Sequence, residues 1–377
     1  MPPVLRAVGA RLRAALHPGT LIGIGFPQWL RVLGRNLRRL GRDDLGRVIG
    51  LTACSTFNST VGAFERVRYG RRIRATPVPP PVFILGHWRS GTTFLHGLLA
   101  VDERFAYPSY REAFCPRTFL TTDLPVRTFM PSGGTRLTDN VEHDLDAPEE
   151  DAFALAALTG DAHYVGLAFR GDPVAARFLT LAGTTIRERR RWAAALIWFY
   201  KKLTYKYDGR PLILKSPGHT CRVSTLRHIF PDAKFVFIHR NPYDVIRSSM
   251  RVAGVWHGLD QPDLEVAVCN GIIAQYRLVH EVFEQQAADV PDGSLHRLSF
   301  EDLEERPLAE VERVYEALDL PDFEGVRPQL RTHLAALSGY EKTSHRDLRP
   351  QLREMVATEL EPYFEQWGYS TEPLLAT

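Results

Sequence analysis

The sequence predicts an α/β protein in which a P-loop-like parallel sheet is flanked by helices, with a helical N-terminal arm and a helical C-terminal region. The first observation is a set of short, continuously apolar runs at residues 82–85, 211–214 and 234–238, with a weaker run at 295–300. The second is that helical patterns separate these runs. Strands buried on both faces of a sheet are apolar throughout, and strands that alternate with helices pair in parallel. Because ligands bind at the carboxyl ends of such strands, we expect functional residues directly after these runs.

The N-terminal arm, residues 1–80, is strongly basic and ends in a proline-rich break. Amphipathic helical spacing covers residues 3–17 and 27–48. The arm holds 14 Arg and no Lys against 3 acidic residues, a net charge of +11, whereas the other 33 basic and 41 acidic residues give 81–377 a net charge of −8. Such an arm either contacts an anionic membrane surface or packs on the acidic remainder of the chain, and we favour packing. No nucleic-acid-binding module follows it, so we expect no nucleic acid partner.

The composition is that of a globular protein. The chain has 377 residues, of which 44% are hydrophobic and 24% charged, which excludes disordered, collagen-like and disulfide-framework classes. Its 4 Cys are far apart without metal-ligand spacing, so we expect reduced thiols and a cytoplasmic compartment. The longest apolar run, residues 21–30, is interrupted by glycine and proline and is too short to span a bilayer. The N-terminus does not have the pattern of a cleaved signal peptide.

A phosphate-binding loop follows the first strand. Residues 86–93 read Gly-His-Trp-Arg-Ser-Gly-Thr-Thr, a G-x-x-x-x-G-T-T pattern between a strand and a helix. The glycines let backbone N–H groups surround phosphate oxygens, and the helix presents its positive N-terminal dipole. A nucleoside-triphosphate site also needs a Lys after the second glycine and an acid at a strand end for Mg²⁺. Thr92 takes the place of that Lys and no candidate strand ends in an acid, so we expect an anion site without a metal.

A second anion-binding motif follows the run at 234–238. Arg240 ends this strand, Pro242 suits the first turn of a helix, and Ser248 lies about two turns further on. Arg240 and Ser248 can therefore converge on one anion. Two separate phosphate sites on one sheet are typical of a protein that binds a nucleotide phosphorylated at two places.

Together these motifs resemble those of the sulfotransferases, in particular the bacterial-type branch. Residues 89–93, Arg-Ser-Gly-Thr-Thr, look like the family's 5′-phosphosulfate loop, and residues 240–248 look like its 3′-phosphate motif. Both bind 3′-phosphoadenosine-5′-phosphosulfate (PAPS). The segments 214–219, 299–303 and 363–369 also resemble this branch, so the resemblance covers the chain from about residue 82 onward and implies a sulfotransferase domain over residues 81–377.

The resemblance implies transfer of a sulfuryl group from PAPS to an acceptor hydroxyl or amine, with release of 3′,5′-ADP and without a metal. Arg89 would stabilise the charge on the leaving phosphate, and Lys215 would approach the transferring group from the acceptor side. Arg240 and Ser248 would hold the 3′-phosphate. Lys342, and with it His345, would belong to the family's basic C-terminal loop, although the usual glycine spacing is missing there. The residues expected to line the phosphosulfate loop are Arg89, Ser90, Gly91, Thr92 and Thr93.

The general base is left open by the sequence. Cytosolic sulfotransferases have a histidine two residues after a strand-end lysine, but that position is Pro217 here and the nearest histidine is His219. In the heparan and tyrosyl-protein branches the base is a glutamate, and the corresponding residue is Glu112. Glu150, together with Glu149, is a third candidate, although acids in this position also occur at ordinary helix starts. We rank Glu112 first, then Glu150 or Glu149, then His219.

Two other functions compete with this interpretation. A P-loop phosphotransferase would use a nucleoside triphosphate, but Thr92 and the missing strand-end acid argue against it. A membrane-peripheral protein with a vestigial nucleotide site would leave the basic arm as the functional part. The acceptor class is not readable from the sequence, and a lipid, a glycan, a polyketide and a small metabolite all remain open.

Overall fold

The structure is a computed structural model of the 377-residue chain and describes residues 19–122, 144–169, 171–257, 261–337 and 347–371. The described residues form two compact units. Unit 1 contains residues 19–79, 104–122 and the described residues between 144 and 214, and unit 2 contains residues 80–103 and the described residues from 215 onward. The predicted division into an arm over residues 1–80 and a domain over residues 81–377 stays a prediction.

Unit 1 is helical. Short 3₁₀ turns cover Gly19–Leu21, Leu37–Arg39 and Arg42–Asp44. Its helices are α1 (Phe26–Asn36), α2 (Leu45–Ala75), α4 (Tyr110–Phe114), α5 (Asp151–Thr159), α6 (Val165–Ala168), α7 (Arg177–Thr180) and α8 (Ile186–Lys206).

The arm forms helices α1 and α2 rather than one helix over residues 27–48. Gly41, the N-cap of the 3₁₀ turn at Arg42–Asp44, lies between them and has an extended backbone. The buried Trp29 of α1 donates its indole N–H to the Thr52 hydroxyl of α2 at 2.9 Å, which joins the two helices. The helix expected over residues 3–17 lies outside the described residues.

Ion pairs join the arm to the rest of unit 1. Arg35 contacts Asp161 at 2.6 Å and Asp172 at 2.7 Å. Deeper in the unit, the fully buried Lys202 of α8 lies 2.5 Å from the buried Glu65 of α2. Burial lowers the Lys202 pKa to about 8, so the ammonium depends on this carboxylate partner. One face of the arm is therefore integrated into unit 1.

Unit 2 contains the parallel sheet. Its strands are β1 (Val82–Leu85), β2 (Ile213–Lys215, which enters the unit at Lys215), β3 (Lys234–His239) and β4 (Leu295–Ser299), in the order β2-β1-β3-β4. Its helices are α3 (Thr92–Leu99), a 3₁₀ helix (Pro217–Arg222), α9 (Val223–Ile229), α10 (Pro242–His257), α11 (Pro262–Ala287), α12 (Phe300–Glu305), α13 (Pro307–Ala317), α14 (Phe323–Leu337), α15 (Pro350–Glu359) and α16 (Glu361–Trp367).

Strand register places the two motifs at one edge of the sheet. Leu85 of β1 pairs with Phe237 of β3, and His239 of β3 pairs with Ser299 of β4. The residues that follow these strands therefore meet at the carboxyl edge. The predicted fold class is confirmed, and a strand forms at each of the four runs. Strands β1 and β3 are apolar because both of their faces are buried, whereas the weaker run forms β4 with an exposed Arg297.

No described helix is both long enough and apolar enough to cross a bilayer.

Candidate functional site

The loop between β1 and α3 has the backbone of a phosphate cradle. Gly86 and Gly91 have positive φ angles of 151° and 96°. A Cβ on Gly86 would lie 2.6 Å from the Ile238 carbonyl oxygen, and a Cβ on Gly91 would lie 2.2 Å from the Phe300 ring. Glycine therefore meets both the conformational and the spatial demand at these positions. Gly91 is the N-cap of α3, so the first N–H groups of the helix are directed at the loop.

The remaining loop residues extend this cradle. Ser90 is buried and its hydroxyl donates to the His87 carbonyl at 2.7 Å, which closes the loop on itself. Thr92 and Thr93 are the first two residues of α3, and Thr92 is buried. The N–H groups of a first helical turn have no partner within the helix and can bind an anion.

Arg89 connects the loop to the second motif. Its backbone has a φ of 70°, an uncommon conformation for a residue with a side chain. Its Nε donates to the hydroxyl of the buried Ser248 at 2.8 Å, and Arg240 Nη1 approaches the Arg89 carbonyl oxygen at 3.5 Å. The structure thus brings Arg89 together with Arg240 and Ser248, which lie 151 and 159 positions further along the chain.

Arg240 is positioned by stacking. Its guanidinium carbon lies 4.3 Å from the centroid of the Phe300 ring, and its Nη2 lies 3.6 Å from an Asp244 carboxylate oxygen. Its Nε is buried without a hydrogen-bond partner in the described part of the chain. A stacked arginine that retains an unused donor is suited to bind phosphate oxygens with its planar edge.

The turn after β2 supports the loop. Gly86 N donates to the Thr220 hydroxyl at 2.8 Å, and this hydroxyl donates to the Gly86 carbonyl at 3.0 Å. Lys215 and His219, which flank this turn, are buried, and the His219 ring lies edge-on to Phe83 at 5.6 Å between centroids. Sequence reasoning missed the supporting roles of Thr220 and Phe300. The family-like segment 299–303 was a signal for Phe300, whereas nothing local marks Thr220.

Glu112 lies in unit 1 and has several partners. It is the third residue of α4, where it completes a capping box by accepting from Ser109 N at 2.7 Å. Its other carboxylate oxygen accepts from Lys206 Nζ and from the Tyr207 hydroxyl, the latter at 2.9 Å. The side chain is fully buried. This environment suits a structural anchor and leaves the role of a base as a prediction.

Glu150 and Glu149 precede α5, also in unit 1. Glu150 is the N-cap residue, is half-buried and accepts a hydrogen bond from the Tyr164 hydroxyl. Glu149 is buried and accepts from Glu150 N at 2.9 Å. Of the candidate glutamates, Glu150 is the more accessible. Lys342 and His345 lie outside the described residues, so their assignment to a basic loop stays a prediction.

Buried histidines lie behind the loop. Burial lowers the pKa of His87 to about 4 and that of His280 to about 3, so both are neutral near pH 7. Their rings are 6.0 Å apart, and Tyr276 lies 4.1 Å from His280 between centroids. Among the residues described, no group of His, Cys, Asp and Glu could hold a metal ion.

Comparisons with known proteins identify the family. A sulfotransferase family model matches residues 80–325. Curated relatives named omega-hydroxy-beta-dihydromenaquinone-9 sulfotransferase Stf3, from Mycobacterium bovis and Mycobacterium tuberculosis, are 32% identical over 355 residues, covering 92% of this chain and 90% of theirs.

Solved structures share the fold. The sulfotransferase STF9 from Mycobacterium avium aligns with a TM-score of 0.68 at 17% identity and covers 96% of this chain and 97% of that one. STF1 from Mycobacterium tuberculosis aligns with a TM-score of 0.64 at 18% identity and covers 94% and 98%. The resemblance stated from the motifs is confirmed: the chain belongs to the sulfotransferase family and is a PAPS-dependent transferase.

Proposed function

We propose that this sulfotransferase binds PAPS between its two motifs and transfers the sulfuryl group to a hydroxyl of a lipid-type acceptor. The observation that carries the proposal is the cluster of Arg89, Arg240 and Ser248 beside a glycine cradle. Residues 89–93 would hold the 5′-phosphosulfate, and Arg240 and Ser248 the 3′-phosphate.

The donor set of the cluster fits such a nucleotide. Two guanidinium groups, the Ser248 hydroxyl and the N–H groups at the start of α3 are all donors, and Asp244 is a nearby acid. Arg240 Nε is buried without a hydrogen-bond partner in the described part of the chain, and the backbone at Gly86 and Gly91 packs too closely on Ile238 and Phe300 to admit a Cβ. An unused guanidinium donor beside a glycine loop fits an anion site. Fixed cations and backbone donors can stabilise a phosphate leaving group without a metal. We propose that the reaction is metal-independent.

Each residue would have a separate role in the transfer reaction. PAPS supplies the sulfuryl group, which moves to the acceptor oxygen as its bond to the 5′-phosphate breaks. Arg89 would stabilise the charge that develops on the 5′-phosphate, and Lys215 would neutralise charge on the transferring group. Lys342 would add a further cation at the 3′-phosphate. A base would take the proton of the acceptor hydroxyl.

For the base we propose a glutamate, with Glu150 now ahead of Glu112 and His219. The carboxylate oxygens of Glu112 already accept from Ser109, Lys206 and Tyr207, so an acceptor hydroxyl would have to displace one of these donors. Glu150 is half-buried and accessible in part. His219 is fully buried, which supports a packing role.

A lipid alcohol is the acceptor class that the relatives support. The Stf3 proteins, 32% identical over most of both chains, are named for an omega-hydroxylated dihydromenaquinone. We propose an acceptor of that kind, an alcohol on a long hydrophobic molecule. The 4 Cys, all free, fit the reduced cytoplasmic compartment that we propose for the enzyme.

The test is transfer from radiolabelled PAPS to an omega-hydroxylated dihydromenaquinone in detergent, compared with a short water-soluble alcohol, with and without EDTA. We expect labelled lipid, little labelled short alcohol and no effect of EDTA. Arg89→Ala should lose transfer, whereas Arg277→Ala on the exposed side of α11 should keep it. Labelling of the short alcohol alone would refute the acceptor class, and loss of transfer in EDTA would refute metal independence.

A further inference from the structure

We propose that the outer face of α2 is a docking surface for anionic lipid bilayers. Leu45, Ile49, Phe57, Phe64 and Val67 are exposed large apolar side chains on this helix. At 100° per residue, they fall within about 120° of one another and form one face about 33 Å long. Val67 is 87% exposed, an unusually large fraction for an aliphatic side chain.

The polar groups on this face are satisfied within the helix. No charged residue occurs between residues 48 and 64. The exposed Thr56 and Thr60 donate their hydroxyls to the carbonyls of Thr52 and Thr56, at 2.8 and 3.0 Å. A hydroxyl that keeps a hydrogen bond to the preceding turn costs little free energy to transfer to a less polar environment. The face can therefore enter the headgroup region without leaving hydrogen-bond donors unpaired.

Helix α1 adds a second exposed row. Phe26, Leu30 and Leu37 lie on one side of α1 and its 3₁₀ extension and are 36%, 50% and 62% exposed. The opposite side of α1 carries the buried Trp29 and Val32. Because α1 packs on α2 through Trp29 and Thr52, both rows belong to one helix pair.

The exposed charges around these rows are basic. Residues 68, 71 and 74 continue the apolar face of α2 into its last two turns, and all three are exposed arginines. Among described residues 19–79, Asp43 is the one exposed acid, because Asp44 is half-buried beside Arg47 and Glu65 is buried with Lys202. The nine exposed arginines of this segment are Arg31, Arg38, Arg39, Arg42, Arg66, Arg68, Arg71, Arg72 and Arg74.

The positive charge of these arginines favours an anionic bilayer over a second copy of the chain as the binding partner. Two copies of the chain meeting through these faces would bring two sets of arginines together, whereas an anionic bilayer offers both apolar contact and complementary charge. Helix α2 is held by its inner face, so the outer face is a rigid surface rather than a segment that folds on binding. The inference stands apart from the proposed reaction, since it concerns a surface that needs neither PAPS nor acceptor.

The test is sedimentation of the full chain with vesicles of phosphatidylcholine and phosphatidylglycerol, without PAPS or acceptor. We expect binding at low ionic strength, weaker binding at high ionic strength, and little binding to phosphatidylcholine alone. Each arginine near an anionic surface contributes about fivefold to the partition coefficient. Arg68→Gln/Arg71→Gln/Arg74→Gln should therefore bind roughly ten- to a hundredfold more weakly, and Phe57→Ser/Phe64→Ser/Val67→Ser at least about tenfold more weakly.

Matched controls are available in the same unit. Leu167→Ser/Ile186→Ser and Arg187→Gln/Arg190→Gln change equally exposed residues on other helices and should bind vesicles as the wild type does. A melting temperature equal to that of the wild type shows that each variant is folded. Absence of vesicle binding by the wild-type chain, equal loss in the controls, or a dimer in light scattering that only the apolar variant dissociates would each overturn the proposal.

Discussion

Arg240 is the residue that tests the nucleotide site most directly, because Phe300 and Asp244 position its guanidinium and the proposed 3′-phosphate site depends on it. We expect Arg240→Ala to lower the affinity for 3′,5′-ADP by roughly 30- to 150-fold, since a charge-assisted contact contributes about 2–3 kcal/mol. The affinity for 5′-AMP, which lacks the 3′-phosphate, should change little. Isothermal titration calorimetry with both nucleotides measures the difference.

Arg277→Ala is the matched control. Arg277 is an exposed arginine of unit 2 that pairs with Glu359 at 2.8 Å, and its loss should leave both affinities unchanged. If the wild-type chain binds 5′-AMP and 3′,5′-ADP equally, the site assigned to Arg240 and Ser248 does not exist.

Substitutions of Glu112 and Glu150 distinguish a structural role from a role as the general base. Glu112→Gln removes the charge that pairs with Lys206, so we expect it to lower the free energy of unfolding by about 1–3 kcal/mol, measured by urea denaturation. Glu150→Gln keeps the size of a more accessible side chain but removes its basicity. It should lower kcat by roughly 10²–10⁴ while stability and 3′,5′-ADP affinity stay near wild type.

The opposite result for the two variants would identify Glu112 as the base. A Glu112→Gln enzyme with normal stability and a large loss of kcat, beside a Glu150→Gln enzyme with normal turnover, contradicts our order. His219→Gln serves as the third member of the series, and we expect a loss of stability from its buried position.

At the scale of the element, the β1–α3 loop depends on a glycine that packs against an aromatic ring. Gly91→Ala would place a Cβ 2.2 Å from Phe300 at a φ of 96°, so both the loop and the ring that stacks on Arg240 must move. We expect at least about a tenfold loss of 3′,5′-ADP affinity.

Gly97 provides the control for this substitution. It lies in the same helix, α3, and a Cβ there would meet nothing within 4 Å. Gly97→Ala should leave nucleotide binding unchanged and stabilise the protein by up to about 1 kcal/mol, since alanine favours helix. Equal affinities for the two variants would show that the loop tolerates the shift of Phe300.

Strands and loops could be predicted from the sequence where a single requirement, such as burial of both faces or a positive φ angle, fixes the residue types. The strands β1 and β3 appear in the sequence as apolar runs because both of their faces are buried, and Gly86 and Gly91 appear because a phosphate loop needs them. The break between α1 and α2 was not predictable from spacing, since the leucines continue at helical intervals through the 3₁₀ turns. Thr220 could not be found, because its contact with Gly86 spans 134 positions and depends on the fold.

At the scale of the whole molecule, buried neutral histidines make stability depend on pH. The folded pKa values of His87 and His280, about 4 and about 3, lie below the ordinary value of 6.5. As pH falls below about 6.5, the unfolded chain takes up protons that the folded chain cannot, so stability is lost toward pH 4. We expect a loss of about 1–2 kcal/mol per histidine between pH 7 and pH 5.

Urea denaturation across this pH range measures the effect. His280→Phe, which keeps a ring among Tyr276, Tyr363 and Trp367, should flatten the slope. Leu278→Ala changes an exposed residue of α11 that does not titrate, so it is the control and should leave the slope as it is. A wild-type stability that stays constant from pH 7 to pH 5 would contradict the burial argument.

The contacts of the arm make it part of the fold of unit 1. A chain that begins at Pro77 lacks Glu65, Arg35 and the buried Trp29, so Lys202 would lose its carboxylate partner and Asp161 would lose Arg35. Breaking a buried pair from one side costs about 3–5 kcal/mol, and the uncovered apolar surface adds to this loss. We therefore expect the shortened chain to aggregate or to melt at a lower temperature than the full chain, measured by differential scanning fluorimetry and size-exclusion chromatography. If it instead melts as the full chain does and loses only vesicle binding, the arm is a detachable membrane anchor, and the contacts of Trp29, Arg35 and Glu65 contribute nothing measurable to stability.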